Sequence, residues 1–309
     1  MKKLIAGLVL ALMGGATLLY LWPATLLASV QFIERQRAGL NLKQISVHDL
    51  NIHYYEGGPS DAQTILLVHG FAANKDNWLR FARHLTQDYR VIALDLPGFG
   101  ASSKPAGSYD IGTQTERLAD INDALGLDQL HLMGNSMGGH ISALYAARYP
   151  TRIRSLTLLD NAGITSPQPS ELRLRLSRGE TNPLVVKSPE DFQRLLAFIF
   201  VKPPYLPEPI KGYFAEQAAH NSAHYEQIFA HLVERYIPLE PELSKIQAPT
   251  LIIWGAEDRV LDVSSVEVMQ TLLHKPHVVI MPNTGHAPMI EQPELTAQHL
   301  RAFLKELDK

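Results

Sequence analysis

The sequence predicts an α/β fold in which a doubly wound, mostly parallel sheet is interrupted by a helical cap and preceded by an N-terminal transmembrane helix. Three observations predict this arrangement: apolar strands alternate with helical segments, the alternation stops over residues 163–245, and residues 4–33 carry no charged side chain. In sheets of this kind the ligand site lies at the carboxyl ends of the strands, so we expect functional residues there.

The composition favours one large domain with an appendage. The 309 residues are 46% hydrophobic, which is enough for a sizeable core. Lysine and arginine total 28 against 31 aspartates and glutamates, and the net charge of -3 provides no broad attraction for nucleic acid. Because the chain has no cysteine, disulfides, thiolate metal sites, a cysteine nucleophile and a lipid-modified cysteine are excluded.

Residues 1–39 are predicted to form a membrane anchor and a juxtamembrane segment. The uncharged segment Leu4–Ile33 is longer than the apolar region of a signal peptide, which has about 7–15 residues. At about 1.5 Å per residue, Leu4–Trp22 matches a hydrocarbon core of about 30 Å, and Pro23 offers a natural end to the span. A cleaved secretory signal is the alternative, because two lysines follow Met1, although no well-formed cleavage site is present.

The residues around the span predict its orientation and one possible partner. Lys2 and Lys3 favour a cytoplasmic N-terminus, and Arg35 and Arg37 on the far side weaken that bias. The folded domain is then expected in the periplasm, anchored to the inner membrane of a Gram-negative bacterium. Small residues recur at every fourth position of the span, namely Gly7, Ala11 and Gly15. Such a stripe predicts a homodimer through this helix, and chance recurrence of small residues is the alternative.

The first part of the core is predicted over residues 40–162. Its strands are short apolar runs bounded by turn residues, and its helices follow them in alternation. The predicted strands are Ile45–His48, Asn51–Tyr55, Ile65–Val68, Arg90–Leu94, Leu130–Met133 and Ile153–Leu159, and the predicted helices are Trp78–Leu85, Gly112–Leu125 and Met137–Tyr149. The continuous apolar run at residues 65–68 is typical of a strand buried on both faces.

Residues 163–245 are predicted to be an inserted helical cap. The strand and helix alternation ends there, and ten prolines separate short apolar helix candidates. Residues 246–309 then resume the core. Its predicted strands are Thr250–Trp254 and Val278–Met281, and its predicted helices lie near Val263–Leu273 and Glu294–Leu307.

The segment Gly134–Gly138 has the sequence Gly-Asn-Ser-Met-Gly and matches G-x-S-x-G. It lies directly after an apolar strand and directly before a helix, which is the context of a nucleophile elbow. A serine hydroxyl is a weak nucleophile, so it needs a tight turn that presents it to a base, and the flanking glycines let strand and helix pass closely. Ser136 is therefore the predicted nucleophile, and the alternative is a glycine-rich turn with an idle serine.

Two residues at later strand ends are predicted to complete a catalytic triad. Asp258 follows the strand at residues 250–254, and His286 lies on a glycine-led loop after the last core strand. In this order, His286 would take the proton from Ser136, and Asp258 would fix the histidine tautomer and stabilise the imidazolium. Glu257 and Asp160 are the alternatives for the acid.

The backbone N–H groups of Phe71 and Met137 are the predicted oxyanion hole. Phe71 lies just after an early strand, in His69–Phe71, and one such donor is typically worth about 10²–10³ in rate. The ring of His69 is expected to be structural rather than chemical. The sequence has no His-Glu-x-x-His motif and no phosphate-binding glycine loop, so neither a metal ion nor another cofactor is expected.

With these motifs, the chain from about His53 to Leu307 resembles the α/β-hydrolases. Within them it resembles the bacterial lipases and esterases of the lipase 1 type and the membrane-anchored monoacylglycerol lipases. The shared segments are His69–Phe71, Asn74–Asp76, Gly134–Gly139, Asn182–Leu184, Lys202–Pro207, Trp254–Asp258 and Val260–Val263. The resemblance implies an α/β-hydrolase fold and hydrolysis of acyl esters at a membrane bilayer, with a monoacylglycerol, lysophospholipid or phospholipid as substrate.

Two other functions stay open. Carbon–carbon bond hydrolases of aromatic degradation share the motif at Gly134–Gly139, but they usually carry a tryptophan after the catalytic histidine, where this chain has Ala287. A non-enzymatic receptor on the same fold is the other alternative, and turnover of a chromogenic ester distinguishes it. Epoxide hydrolases and haloalkane dehalogenases are excluded because they need a carboxylate at the position of Ser136.

The predicted cap has one dense apolar segment. Its apolar side chains are Leu195, Leu196, Phe198, Ile199 and Phe200. We expect Phe198 and Phe200 to contact the acyl chain of the substrate, with part of this segment facing the bilayer. The alternative is that the segment only packs the cap onto the core.

Overall fold

An eight-stranded sheet lies at the centre of the computed structural model, which describes residues 22–308. The strands are β1 Leu40–Val47, β2 Leu50–Gly57, β3 Thr64–Val68, β4 Arg90–Leu94, β5 Leu130–Asn135, β6 Ile153–Leu159, β7 Thr250–Gly255 and β8 His277–Met281. Their order is β1-β2-β4-β3-β5-β6-β7-β8. The pairings β1–β2 and β2–β4 are antiparallel and the other five are parallel, so the predicted mostly parallel sheet is confirmed.

The sheet separates two hydrophobic clusters. Successive side chains of a strand point to opposite faces, and β3 follows this rule: Ile65 and Leu67 belong to one cluster, and Leu66 and Val68 to the other. All five residues of β3 are buried. Its continuous apolar sequence is therefore explained by helices that cover both faces of the sheet.

The helices of the core follow the strands, as the alternation predicts. They are α1 Pro23–Arg37, α2 Leu79–Ala82, α3 Ile111–Ala124, α4 Met137–Arg148, α10 Ser265–Leu272, α11 Pro288–Glu291 and α12 Pro293–Leu307. The helix predicted at residues 78–85 is shorter than expected: a 3₁₀ turn at Lys75–Trp78 precedes it, and turns follow Ala82. The side chain of Asn74 starts this turn by accepting a hydrogen bond from the Asp76 N–H at 2.9 Å.

Five helices lie between β6 and β7, and they are called the cap below. They are α5 Glu171–Ser177, α6 Pro189–Ile199, α7 Glu208–His220, α8 Ser222–Glu234 and α9 Glu240–Leu243. Three of the prolines that interrupt the sequence pattern lie in the first turns of α6, α7 and α9, where a missing N–H costs no helical hydrogen bond. The division of the chain at residues 39, 162 and 245 stays a prediction.

The N-terminal helix α1 begins at Pro23, where the sequence predicts a break. It is held to the core by a hydrogen bond from Gln31 Nε2 to Asp76 Oδ2 at 2.7 Å. The predicted membrane span at residues 4–22 lies outside the described residues, apart from Trp22. Among residues 22–308, the helices are each too short or too polar to cross a bilayer.

Candidate active site

Ser136 lies at the junction of β5 and α4 in a strained backbone conformation. Its φ of 56° and ψ of -120° fall in a region that non-glycine residues rarely adopt, at a cost of about 1–3 kcal/mol. Three backbone hydrogen bonds hold it there: Ser136 N–H donates to the Leu159 carbonyl, and its own carbonyl accepts from the N–H groups of Ala162 and His140, each at 3.0 Å. The serine is therefore fixed by the neighbouring strand β6.

The glycines of the motif are required by close backbone contacts. A Cβ on Gly134 would lie 2.2 Å from the Gly138 carbonyl oxygen, and a Cβ on Gly138 would lie 2.3 Å from the Val68 carbonyl oxygen. No side chain fits at such distances. The turn that presents Ser136 therefore depends on both glycines.

His286 and Asp258 form a buried hydrogen-bonded pair. His286 Nδ1 lies 2.8 Å from Asp258 Oδ2, and the side chains are 10% and 0% exposed. Asp258 Oδ1 also accepts hydrogen bonds from the N–H groups of Val260 at 2.8 Å and Leu261 at 3.1 Å. When Nδ1–H donates to Asp258, Nε2 is the nitrogen that can accept a proton.

The loop that carries His286 is held between the serine turn and the cap. Asn135 Nδ2 donates to the His286 carbonyl at 3.1 Å and to the Leu159 carbonyl at 3.3 Å. On the other side, His286 N–H donates to the carbonyl of Ile199 at 2.8 Å. No sequence pattern indicates the contact made by the Ile199 carbonyl, whereas the position of Asn135 directly before Ser136 is an available signal for its role.

The Gly70–Phe71 turn lies against Ser136. A Cβ on Gly70 would lie 3.1 Å from the Ser136 Cβ. Within residues 22–308, neither the Phe71 N–H nor the Met137 N–H donates a hydrogen bond. Met137 is the first residue of α4, where N–H groups have no partner within the helix. Both predicted oxyanion donors are therefore available to a ligand.

The ring of His69 is fully buried, and both of its nitrogens are occupied. Nε2 accepts from the Leu96 N–H at 3.0 Å, so Nδ1 carries the hydrogen and donates to the Gly70 carbonyl at 2.7 Å. Burial lowers the pKa of His69, which keeps the ring neutral. These contacts assign His69 to holding the turn before Phe71.

The Phe71 side chain belongs to an aromatic cluster that joins the turn to the cap. Its ring centroid lies 5.7 Å from that of Phe229 and 5.9 Å from that of Tyr225, both on α8. Phe99 completes the cluster, at 6.4 Å from Phe71 and 6.0 Å from Tyr225. No sequence pattern predicts this cluster, because its members come from three distant segments.

Phe198 and Phe200 are both buried beside the His286 loop. The guanidinium groups of Arg175 and Arg259 both lie over the Phe198 ring, at 5.2 and 5.1 Å from its centroid. Phe200 belongs to the hydrophobic cluster that also contains Met289. These contacts are compatible with packing of the cap, and the predicted contact with an acyl chain stays a prediction.

A cavity of about 370 Å³ opens in the cap beside Phe198. Its lining is highly charged, but the cations are paired: Arg175 and Arg259 with Glu171, Arg194 with Asp191, and Lys187 with Glu226. The lining residues do not include Ser136, Asp258 or His286. This cavity is therefore separate from the predicted triad.

Of the two alternative acids, only Asp160 lies beside the pair. One carboxylate oxygen each of Asp160 and Asp258 and one ring nitrogen of His286 all lie within 4.8 Å of one another. Among residues 22–308, no other three residues bring potential metal-binding atoms this close together. Because His286 Nδ1 and Asp258 already share a hydrogen bond, this group fits proton transfer better than metal binding. Glu257 instead accepts a hydrogen bond from the Thr284 N–H at 3.0 Å.

Comparisons with known proteins agree with this geometry. Residues 63–293 match a family described as the alpha/beta hydrolase fold. The crystal structure of a membrane phospholipase A, described as a bacterial virulence factor, is 59% identical with a TM-score of 0.92 and covers 100% of both chains. Lipase 1 of Psychrobacter immobilis is 36% identical over 89% of this chain and 87% of its own, and a monoacylglycerol lipase of Xenopus laevis is 34% identical over 98% and 94%.

Proposed function

The chain belongs to the α/β-hydrolase family and is a carboxylic ester hydrolase, and we propose that it cleaves acyl esters of glycerolipids through an acyl intermediate on Ser136. The observation that carries this proposal is the strained turn at Ser136. Backbone strain of about 1–3 kcal/mol lowers stability and is typical of functional sites, and in this fold such a turn exposes the nucleophile. The resemblance drawn from the motifs is confirmed by the relatives. Hydrolases of aromatic degradation share the fold at 24% identity or less, which supports the fold alone, so the carbon–carbon bond hydrolase stays the alternative proposal.

In the first half of the proposed reaction, Ser136 Oγ attacks the ester carbonyl carbon and His286 Nε2 takes its proton. The negative charge that develops on the carbonyl oxygen is stabilised by the N–H groups of Phe71 and Met137. The carbon–oxygen bond to the alcohol then breaks, and His286 returns the proton to the leaving oxygen. The acyl group remains on Ser136.

In the second half, water replaces the alcohol. His286 removes a proton from the water as its oxygen attacks the acyl carbon, and it returns that proton to Ser136 Oγ when the fatty acid leaves. Asp258 keeps the hydrogen of His286 on Nδ1 and stabilises the transient imidazolium. No cofactor is needed in either half of this scheme.

Glycerolipids are the proposed substrate class because the relatives are a phospholipase A, a lipase and a monoacylglycerol lipase.

A membrane site of action is supported by exposed apolar side chains next to the predicted anchor. Trp22, Phe32 and Ile33 are 56%, 52% and 48% exposed. We further propose that the anchor is single-pass with the catalytic part in the periplasm, and that a homodimer forms through the anchor. Extraction from membranes by detergent but not by high salt tests the anchor.

Labelling with a fluorophosphonate probe and hydrolysis of monoacylglycerol and phospholipid test the nucleophile. Wild type should be labelled and active, whereas Ser136→Ala should lose labelling and at least about 10³-fold in rate, because the nucleophile is removed. The exposed cap serine substitution Ser177→Ala is the matched control and should behave as wild type. Labelling that persists in Ser136→Ala would place the nucleophile elsewhere.

A further inference from the structure

Asp160 is a fully buried carboxyl group at the end of β6, with an oxygen that has no evident partner. Its residue exposure is 0%, and its φ of 40° turns the chain directly after the strand. Oδ1 accepts a hydrogen bond from the Gly255 N–H at 2.8 Å, but buried Oδ2 has no donor within reach in the described residues. An unsatisfied buried carboxylate oxygen is costly, which indicates that this oxygen carries a proton and acts as a donor itself.

The acceptor available to that proton is Asp258. Charged or titratable groups that face Asp160 are Asp258, His286 and Glu291. Two carboxyl groups this close in a buried site do not both ionise. Asp258 receives two N–H donors and the hydrogen bond with His286, whereas Asp160 receives one N–H. The better-solvated Asp258 therefore holds the negative charge.

Burial, and then the neighbouring Asp258, raise the pKa of Asp160 well above the usual range of a carboxyl group. The direction agrees with the hydrogen-bond count. Both considerations favour the neutral form of Asp160 in the folded protein.

We propose that Asp160 is a positioning residue that retains its proton and donates a hydrogen bond from Oδ2 to Asp258. The inference rests on the proposed function, because it concerns how Asp258 supports His286. The proton stays on Asp160 throughout the reaction, and no bond to substrate forms or breaks there. The donated hydrogen bond fixes the Asp258 carboxylate and withdraws part of its negative charge, which weakens its attraction for the imidazolium of His286.

The opposite assignment makes a different prediction. If Asp160 were the ionised acid that serves His286, its conversion to a neutral amide would remove a charge that the imidazolium needs. The loss would then approach the roughly 10⁴-fold that replacement of a triad aspartate by asparagine causes in serine proteases.

Asp160→Asn separates these cases, because an asparagine can accept from the Gly255 N–H and donate to Asp258 as the protonated acid does. Asparagine also tolerates a positive φ. We expect kcat/KM on a soluble ester within about 3-fold of wild type, and an acid limb of its pH profile that overlays wild type. The matched variant Asp258→Asn should lose about 10⁴-fold. An Asp160→Asn variant that is as inactive as Asp258→Asn, or whose acid limb moves to lower pH, would overturn the proposal.

Asp160→Ala removes the donor. We expect its kcat/KM to fall more than 10-fold, with kcat affected more than KM, and its acid limb to move to higher pH because Asp258 then holds the imidazolium more strongly. Melting temperatures identify variants that have lost their fold, and an Asp160→Asn variant that folds still decides between the protonated and the ionised acid. If an alanine variant folds but its pH profile keeps the acid limb of wild type, then Asp160 only packs in the core and the proposal is refuted.

The Ser136→Ala control keeps the two proposals apart. Activity that survives in Ser136→Ala contradicts the proposed function itself, whatever the aspartate variants do. Activity that depends on Ser136 but is lost in Asp160→Asn contradicts only the role of Asp160.

Discussion

The turn at Ser136 and the cap are held by different kinds of contact. Around Ser136 the decisive contacts are between backbones, where Gly134 and Gly138 allow approaches that no Cβ permits. In the cap they are between side chains, such as the rings of Phe71 and Phe229 and the guanidinium groups around Phe198. Backbone contacts tolerate almost no substitution, whereas side-chain contacts can be exchanged. We therefore expect substitutions at the turn to be more damaging than substitutions in the cap.

The largest expected difference between the two regions is in the free energy of unfolding after a glycine in each is replaced by alanine. Gly138→Ala puts a Cβ 2.3 Å from the Val68 carbonyl oxygen and 2.4 Å from that of His69, so we expect a loss of several kcal/mol or failure to fold. Gly212→Ala is the matched control in the cap helix α7, where a Cβ meets nothing within 4 Å, and it should stabilise by up to about 1 kcal/mol. Urea denaturation measures both. Equal effects would remove the distinction between the regions.

A smaller loss of folding stability is expected at low pH. It allows a comparison of His131, which lies within the core, with His140, which lies where the core contacts the cap. Burial lowers the pKa of His131 and of His140 to about 4. His131 bonds Ser155 Oγ and Gln63 Oε1 inside the core, at 2.8 Å each, whereas His140 Nε2 lies 2.7 Å from the Ile237 carbonyl beside the cap.

The sign follows from proton uptake. Both pKa values lie below the ordinary value of about 6.5, so between pH 6.5 and about 4 the unfolded chain binds protons that the folded chain does not. The contribution of each histidine to the free energy of unfolding is therefore fully present above pH 6.5 and is lost as the pH drops toward 4. At pH 5 the loss is about 2 kcal/mol for each histidine. Urea denaturation at pH 7 and pH 5, with His131→Asn and His140→Asn, measures the two contributions. A His140 that titrates well above His131 by NMR would indicate that the cap opens while the core stays folded.

The smallest effect distinguishes acyl recognition from packing within the cap. If Phe198 and Phe200 contact the acyl chain, replacing either by Trp should lower kcat/KM on long-chain esters more than 10-fold relative to acetate or butyrate esters. Each buried methylene contributes about 0.8 kcal/mol, so blocking a few of them is sufficient. Val233→Trp, at a 61% exposed position of α8, is the control and should leave chain-length preference unchanged. An equal loss on all esters with a lower melting temperature would assign both phenylalanines to packing.

Most of the core could be predicted because its signals are local. The strands at Arg90–Leu94 and Ile153–Leu159 have the predicted bounds, since apolar and β-branched residues dominate both segments and polar or turn residues flank them. The first strand was predicted at residues 45–48 but begins at Leu40. Its exposed, polar residues give no apolar run, and its length is set by antiparallel pairing with β2.

The placement of Ser136, His286 and Asp258 also follows local signals, because each lies just after a strand of one sheet. Other parts of the site could not be predicted. The sequence identifies Asp160 as a carboxyl group near the site. It does not show that Asp160 Oδ2 is buried without a hydrogen-bond donor, because burial depends on the tertiary fold. The cluster of Phe71 with α8 depends on how the cap folds over the core, which no periodicity encodes.

The hydrogen bond from His286 N–H to the Ile199 carbonyl links the cap directly to the general base. A cap that lifts at the end of α6 withdraws this acceptor and loosens the loop on which proton transfer depends. If a bulky lipid enters by that side, its entry and the chemistry on its ester bond require different conformations of the cap. Turnover of large substrates would be timed by reclosure, while small esters that enter without lifting α6 would escape this delay.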